Sequence, residues 1–247
     1  MKTFALNIFT GLITNSVWAI LGAVVMFIYT SRNNFKIKLK SLNLRYLHGQ
    51  KYIRFSIAYL FRIKIDGKYL LIEGGRIHQL QPIGGVYKYY DSFKNFIREW
   101  DIKDDSGFPI DETSKHDLRV RVPIAYTLKM LQWFQTKENR EFCVFRELHE
   151  ELLSNEFFKD KNLNNLSIEY IKTDIQPIKY SEHFKINEIL IADIFEINLT
   201  QEQETIFKEF IQSNPTFQMV TEDEIERGAI TLNNKSYTIG NHSKNLI

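Results

Sequence analysis

Three closely spaced glutamates are the residues of this chain best suited to chemistry. Glu147, Glu150 and Glu151 stand at positions i, i+3 and i+4 of a helical pattern over residues 140–153, so one helix face gathers three carboxylates. Carboxylates this close repel one another unless a cation lies between them, and Mg²⁺ with phosphate oxygens as further ligands would suit the site. A solvated acidic face, with Arg146 and Glu150 as an i,i+4 pair, explains the same pattern.

Apolar residues on the other side of this helix indicate how it is held. Phe145, Leu148 and Leu152 share a helix face, which we expect to pack on the core. The underlying sheet begins with residues 54–65, where apolar and polar side chains alternate strictly, as in a strand with one buried face. Asp66-Gly67 then predicts a two-residue hairpin turn, and residues 68–73 return as the partner strand.

The remaining elements complete a mixed fold. Residues 35–47 alternate apolar and basic side chains and predict a further strand. Thr200, followed by Gln203 three positions later, predicts a capped helix. Strands are predicted at 76–90, 118–122, 168–179 and 186–198, and helices at 92–100, 125–135, 140–153 and 201–213. This interleaving predicts an α+β fold, an α/β/α sandwich around a mixed sheet.

The N-terminal 32 residues have a different character. Residues 3–31 contain no charged side chain, and the apolar run 4–29 exceeds the roughly 20 residues that cross a bilayer as a helix. A cleaved signal peptide is the rival interpretation, but the run has no small-residue exit site and its basic flank follows it. We therefore expect a retained single transmembrane helix. The basic flank places the C-terminal domain on the cytoplasmic side.

Small residues within this predicted helix suggest self-association. Gly11, Asn15, Ala19 and Ala23 recur every four residues, a spacing that permits close helix–helix contact. A plain anchor would tolerate the same residues without using them.

The overall charge gives no argument for a nucleic-acid partner. The net charge is +2, but residues 1–50 carry six basic and no acidic side chains. A charge this small does not argue for DNA, and none is expected as a partner. The single cysteine, Cys143, excludes an internal disulfide and fits a reducing compartment.

The glutamate-rich segment resembles the core of the Nudix box, G-x5-E-x7-R-E-U-x-E-E-x-G-U, where U is aliphatic. Arg146-Glu147-Leu148-x-Glu150-Glu151 matches its second half, and Gly85-x5-Asp91 resembles its first half with Asp for Glu. The resemblance implies a Nudix-like domain over residues 33–247. Asp91 and Arg146 are separated by 54 residues instead of seven, which implies an insertion at about 92–140 and a degenerate hydrolytic centre.

The insertion and its flanks are similar to SMODS-associated Nudix domains. The similarity lies in Asp117–Arg121, Trp133-Phe134 and Arg140-Glu141 ahead of the box core. Such domains occur beside nucleotidyltransferases of CBASS anti-phage systems. One transmembrane helix followed by this domain resembles the transmembrane-NUDIX effectors of those systems. The resemblance implies a homo-oligomeric effector at the bacterial inner membrane, which binds a cyclic oligonucleotide from the associated nucleotidyltransferase and disrupts the membrane.

Basic and aromatic side chains are the candidates for binding such a ligand, because a cyclic oligonucleotide offers phosphates and stackable bases. The candidates are Arg54, Arg62, Arg76, His78, Tyr87, Tyr89, Arg119, Arg121 and Arg146. Each also has an ordinary explanation, since arginines on strands are mostly solvated and tyrosines on strands mostly half-buried.

Two other functions remain open. A membrane-anchored Nudix hydrolase would use Glu147, Glu150 and Glu151 to hold Mg²⁺ and polarise water against a diphosphate linkage. An anchored interaction module would bind no nucleotide at all. Sensing by itself requires no cofactor, and Mg²⁺ belongs to the hydrolytic alternative.

Overall fold

The computed structural model describes residues 32, 34–75, 78–105, 115–141, 143–161, 163, 166–232 and 235–247. The predicted transmembrane helix and its small-residue stripe lie outside the described residues. Within the described ranges, the structure contains no helix that has both the length and the hydropathy of a membrane span.

The strand predicted at 35–47 is wrong, because residues 34–46 form a helix, α1. In a helix, the apolar residues of this segment lie on two opposite faces. One face, with Ile37 and Leu44, is buried in the main core. The outward face carries four exposed apolar side chains at i, i+4, i+7 and i+11, here called the outer stripe: Phe35, Leu39, Leu42 and Tyr46.

A mixed sheet forms the centre of the domain, as predicted. Strand β1 (Tyr52–Ile65) pairs in parallel with β8 (Ile186–Asn198) along one edge. Its other edge pairs antiparallel first with β5 (Arg119–Pro123) and then with β3 (Leu80–Val86). The predicted hairpin to β2 (Lys68–Glu73) is confirmed.

The sheet extends outward on both sides of β1. The outer strands are β4 (Lys103–Asp104) beside β5, β9 (Phe217–Val220) beside β2, and β6 (Ser167–Ile175) and β7 (Lys179–Ser181), which both pair with β8. The hairpin β10 (Ala229–Leu232) and β11 (Lys235–Thr238) forms a separate two-stranded sheet. The two predicted strands at 168–179 and 186–198 thus correspond to β6 and β8.

Helices cover the main face of the sheet. They are α2 (Lys94–Trp100), α3 (Thr127–Thr136), α4 (Val144–Leu148) and α5 (Gln201–Ser213). The odd-numbered residues of β1 face this side and form the main core with them. The capping box at Thr200 and Gln203 is confirmed, because each side chain bonds the backbone N–H of the other residue.

A second, smaller core lies on the reverse face of the sheet. Leu60 of β1 and Ala192 of β8 pack there with Ile225 of α6 (Glu222–Arg227). The C-terminal 3₁₀ turn, Asn241–Leu246, adds Leu246. Both faces of the sheet are therefore covered, in agreement with the predicted α/β/α sandwich.

Candidate functional site

The helix of the predicted box is short and ends in a wider turn. Helix α4 continues into a π-helical turn over His149–Leu153. Val144, Leu148 and Leu152 are buried in the main core. The prediction for Phe145 is wrong, because this side chain is half-exposed and Val144 takes the core position.

Arg146 is fixed on this helix by carboxylates on two sides. Its Nε and Nη2 donate to the two oxygens of Glu141 at 2.5 and 2.6 Å. Its Nη1 donates to Oε2 of Glu150. The hydrogen bond to Glu141 is the main cause that raises the pKa of Arg146. A bidentate pair of this kind sets the orientation of the guanidinium as well as its charge.

The bidentate partner of Arg146 is Glu141 and not Asp91, the acidic residue of the predicted box. Asp91 pairs instead with Lys94, at 2.7 Å, in the first turn of the insertion, and this pair lowers the pKa of Asp91. The carboxylate that holds Arg146 in a bidentate pair therefore comes from Glu141, five residues earlier, and not from the first half of the predicted box. The sequence named Glu141 only in the Arg140-Glu141 dipeptide of the family resemblance, and did not predict this pair.

The insertion brings its two ends together. Tyr89 and Arg140 form an antiparallel bridge, Tyr90 N–H donates to Asn139 O at 3.0 Å, and Glu141 N–H donates to Lys88 O at 2.8 Å. The segment between them adds β5 and α3 to the sheet and core. The box helix thus begins next to the end of β3, although 54 residues separate the two halves of the box in sequence.

A buried polar network lies beneath this junction. Asp193 of β8 accepts hydrogen bonds from Tyr87 Oη at 2.7 Å and from Thr173 Oγ1 at 2.5 Å, and Arg140 Nη2 lies 3.8 Å away. The Arg140 guanidinium also stacks on the rings of Tyr87 and Phe134, at 4.4 and 4.3 Å from their centres. Burial and the neighbouring Asp193 raise the pKa of Tyr87. The network explains why two charged residues lie inside an apolar core. The sequence pattern named Arg140 only as part of the family resemblance, and it did not point to Asp193.

The two predicted tyrosines are interior side chains. Tyr87 is 1% exposed and Tyr89 is 8% exposed. Tyr89 packs against Phe93 and His116, with both ring centres 5.1 Å away, and burial raises its pKa. The rings of Tyr87 and Tyr89 therefore serve to pack the insertion against the sheet.

The predicted arginines of β1 differ sharply in environment. Arg54 is 3% exposed, and its guanidinium donates to Asp105 at 2.7 Å and to Glu188 at 2.8 Å. Arg62, eight residues along the same strand face, makes a bidentate and partly exposed pair with Glu196. Arg54 is thus part of a buried ion cluster, whereas Arg62 lies near the surface.

The other predicted cations lie apart from the box helix. Arg119 and Arg121 stand on β5 opposite Ser56 and Arg54, and so point to the reverse face of the sheet. Arg119 pairs with Asp117, and Arg121 Nε lies 3.7 Å from Asp105. His78 is exposed, with Nδ1 3.8 Å from Glu73 Oε1. Arg76 lies outside the described residues.

The predicted Mg²⁺ ligands are only partly described. Glu150 is exposed and paired with Arg146. The side chains of Glu147 and Glu151 are not described, although their backbones lie in α4 and the π-helical turn. Among the side chains that are described, no group of three His, Cys, Asp or Glu residues is arranged to hold a metal ion. The magnesium set therefore stays a prediction.

Comparison with known proteins identifies the domain. The family model described as "SMODS-associated NUDIX domain" matches residues 52–247, from the start of β1 to the last residue of the chain. A search of curated proteins gives no match.

Proposed function

Because this chain belongs to the family of SMODS-associated NUDIX domains, we propose that it is the effector of a CBASS anti-phage system. The domain binds a cyclic oligonucleotide made by an associated nucleotidyltransferase. The bound chains oligomerise through their N-terminal segments and disrupt the bacterial inner membrane.

The observation that carries the choice of sensor over hydrolase is the engagement of Glu150 by Arg146. A metal-bound carboxylate must offer its oxygens to the cation. Here one oxygen of Glu150 accepts from an arginine that Glu141 also holds in a bidentate pair. This ion network engages one carboxylate oxygen of Glu150, which supports a structural role for this residue over metal binding.

One observation favours the hydrolase as a second candidate. The bridge between Tyr89 and Arg140 returns the box helix to the end of β3, so the insertion keeps the two halves of the box adjacent. Glu147, Glu150 and Glu151 would then hold Mg²⁺, which supplies a polarised water.

Replacing Glu150 and Glu151 together by glutamine distinguishes the two functions. We expect the sensor to retain cyclic-oligonucleotide binding and ligand-triggered dye release from liposomes, within about 3-fold of the unaltered chain. A hydrolase would lose about 100-fold or more in turnover, because removing metal ligands removes the activated water.

The assay uses the full chain in liposomes with a panel of cyclic di- and trinucleotides, and measures nucleoside diphosphate hydrolysis in parallel. Turnover by the unaltered chain that disappears together with dye release in the double variant would contradict the sensor. Absence of both binding and dye release across the panel would also contradict it.

Helix α1 supports the membrane part of the proposal. Its outer stripe projects away from the core face that carries Ile37 and Leu44. Lys36 and Lys40 flank the stripe on one side, and Lys38 and Arg45 on the other. An exposed apolar stripe between basic residues is typical of helices that lie on anionic membranes, where each cation contributes about 1 kcal/mol.

Glutamate substitution in the outer stripe tests this contact. We expect Leu39→Glu with Leu42→Glu to reduce ligand-triggered dye release at least ~10-fold, because two charges would enter the apolar layer. Asn43→Glu with Lys36→Glu, on the flank of the same helix, is the control for an exposed position and should weaken release only on vesicles that contain anionic lipid. Unchanged release by the stripe variant would show that α1 does not contact lipid.

A further inference from the structure

A cavity of about 150 Å³ lies on the reverse face of the sheet, away from the box helix. The register of strands β1, β8 and β6 determines which residues form the floor of this cavity. Ala58 of β1 is paired with Ala192 of β8, and Ala192 with Asp174 of β6, so the three side chains form one row on the same face. Two alanines side by side leave a shallow apolar depression, with a carboxylate at its end. We call this space the reverse-face cavity.

The rim of the reverse-face cavity is polar. Asp174, His242 and Asn245 line it. Within the described part of the chain, none of these three side chains has a hydrogen-bond or ion-pair partner, unlike Gln176 beside them, which accepts from Lys179 at 2.9 Å. Polar groups grouped around an apolar floor, with no protein partners, are the usual composition of a small-molecule site.

His242 is held in place by the backbone below it. Gly240 donates its N–H to Leu80 O at 2.8 Å, next to a parallel bridge between Leu80 and Ile239. A Cβ at Gly240 would lie 2.7 Å from His242 Cε1, so the absence of a side chain at Gly240 leaves room for the imidazole ring. Burial lowers the pKa of His242 to about 4, and a neutral imidazole offers one donor and one acceptor.

The volume and lining of the reverse-face cavity limit the class of ligand that it can bind. Pockets for whole drug-sized ligands have volumes of roughly 300–1,000 Å³, so about 150 Å³ accommodates a single ring system. A flat apolar floor with hydrogen-bonding groups at the edge suits a planar nitrogen heterocycle. A carboxylate at that edge accepts hydrogen bonds only, and so favours a ring with adjacent N–H donors.

Cations stand on the same face, close to the cavity. Arg119 of β5 is paired with Ser56 of β1, which is itself a lining residue. Paired strands bring their Cα atoms to about 4.5–5.5 Å. Lys179 is close enough to His242 to contribute to the low pKa of that ring. An anionic substituent on a ring in the cavity would therefore face Lys179, or Arg119, which also pairs with Asp117.

We propose that the reverse-face cavity binds one purine base of a nucleotide, with Asp174 accepting from the N1–H and 2-amino group of guanine and Arg119 facing its phosphate. The inference rests on the proposed function in one respect, since the base would belong to the cyclic oligonucleotide. It assigns a base site to the sheet face opposite the glutamate-bearing helix.

Guanosine 5′-monophosphate and adenosine 5′-monophosphate are the probes, titrated calorimetrically into the full chain in detergent. We expect the guanine nucleotide to bind at least ~10-fold more tightly, because adenine lacks the adjacent donor pair. Equal affinity for the two nucleotides, or no binding of either, would overturn the proposal.

Two variants locate the binding. Ala58→Leu fills the cavity from its floor, at a partly exposed position, and we expect it to abolish binding of the guanine nucleotide. Asp174→Asn should lower the affinity for the guanine nucleotide at least ~10-fold. Glu169→Gln, an exposed acid on the same strand β6, makes the same charge change outside the cavity and should leave affinity unchanged. Equal affinities for all three variants would place the nucleotide elsewhere and refute the site.

The two proposals fail separately. A chain that binds the guanine nucleotide in the cavity but shows no dye release with any cyclic oligonucleotide would keep the base site and refute the effector function. A chain that releases dye with a cyclic oligonucleotide, and does so equally well with Ala58→Leu, would refute the base site and keep the effector function.

Discussion

Replacing Arg54 by methionine is expected to lower the free energy of unfolding by about 3–5 kcal/mol, because two buried carboxylates lose the guanidinium that they share. Asp105 and Glu188 have side chains only 3% and 8% exposed, and both accept from this guanidinium. The ring of Phe184 lies 3.8 Å from the guanidinium carbon and closes the cluster. Urea denaturation of the unaltered and variant chains measures the loss.

A second variant tests the reason for the loss. Adding Asp105→Asn and Glu188→Gln to Arg54→Met removes the two buried negative charges, and we expect part of the lost stability to return. Arg62→Met is the matched control on the same strand face, because its pair with Glu196 is 18% and 25% exposed. A partly exposed pair of this kind contributes about 1 kcal/mol or less.

The outcome also decides between two roles for Arg54. A loss below about 1 kcal/mol, together with loss of cyclic-oligonucleotide binding, would make Arg54 a ligand residue and contradict the buried-cluster interpretation. A large loss of stability that the additional carboxylate substitutions partly restore would support that interpretation.

Gly84→Ala is expected to destabilise the domain by more than the roughly 1–3 kcal/mol typical of overpacking. A Cβ at Gly84 would overlap the carbonyl oxygen of Tyr59 and lie 3.1 Å from Leu60 Cα. Both obstacles are backbone atoms of β1, and the parallel pairing of β1 with β8 on the other edge prevents β1 from moving away. The strand β3 would have to leave its register.

Gly75→Ala is the control for this substitution. Gly75 is exposed, and a Cβ there meets no atom within 4 Å, so we expect a change within about 0.5 kcal/mol. Urea midpoints for the two variants provide the comparison. Equal midpoints would show that β3 and β1 can separate at Gly84 without loss, and that this glycine is not required for their close approach.

Local patterns determined much of the architecture. The strict alternation of residues 54–65 predicted β1, and Asp66-Gly67 predicted its hairpin turn, where both residues have the positive φ angles that Asp and Gly accept. Thr200 and Gln203 predicted the start of α5. These features depend on side chains within a few residues of one another, so the sequence contains everything that decides them.

The segment at 35–47 shows where local patterns stop being sufficient. Its apolar residues fit a strand over six positions, yet the chain forms α1. Ile37 and Leu44 are buried together on one helix face, and the outer stripe occupies the opposite face. The core surface that receives Ile37 and Leu44 comes from other parts of the chain, and burying them there outweighs the local preference.

Distant partners decided the roles of the candidate site residues. Arg54 and Arg62 look equivalent in sequence, but Arg54 meets Glu188 in the interior and Arg62 meets Glu196 near the surface, each across 134 positions of the chain. Neither partner could be assigned from spacing alone, since the parallel register of β1 and β8 creates both pairs.

The sequence by itself determined the glutamate-bearing helix, the central hairpin and the resemblance to the family that the comparison confirmed. Only the tertiary structure decided that the ends of the insertion meet between Tyr89 and Arg140, that Glu141 holds Arg146, and that Asp174 stands beside two alanines. The physical reason is the same in each case. Backbone pairing brings together residues whose separation along the chain carries no information about their distance in space.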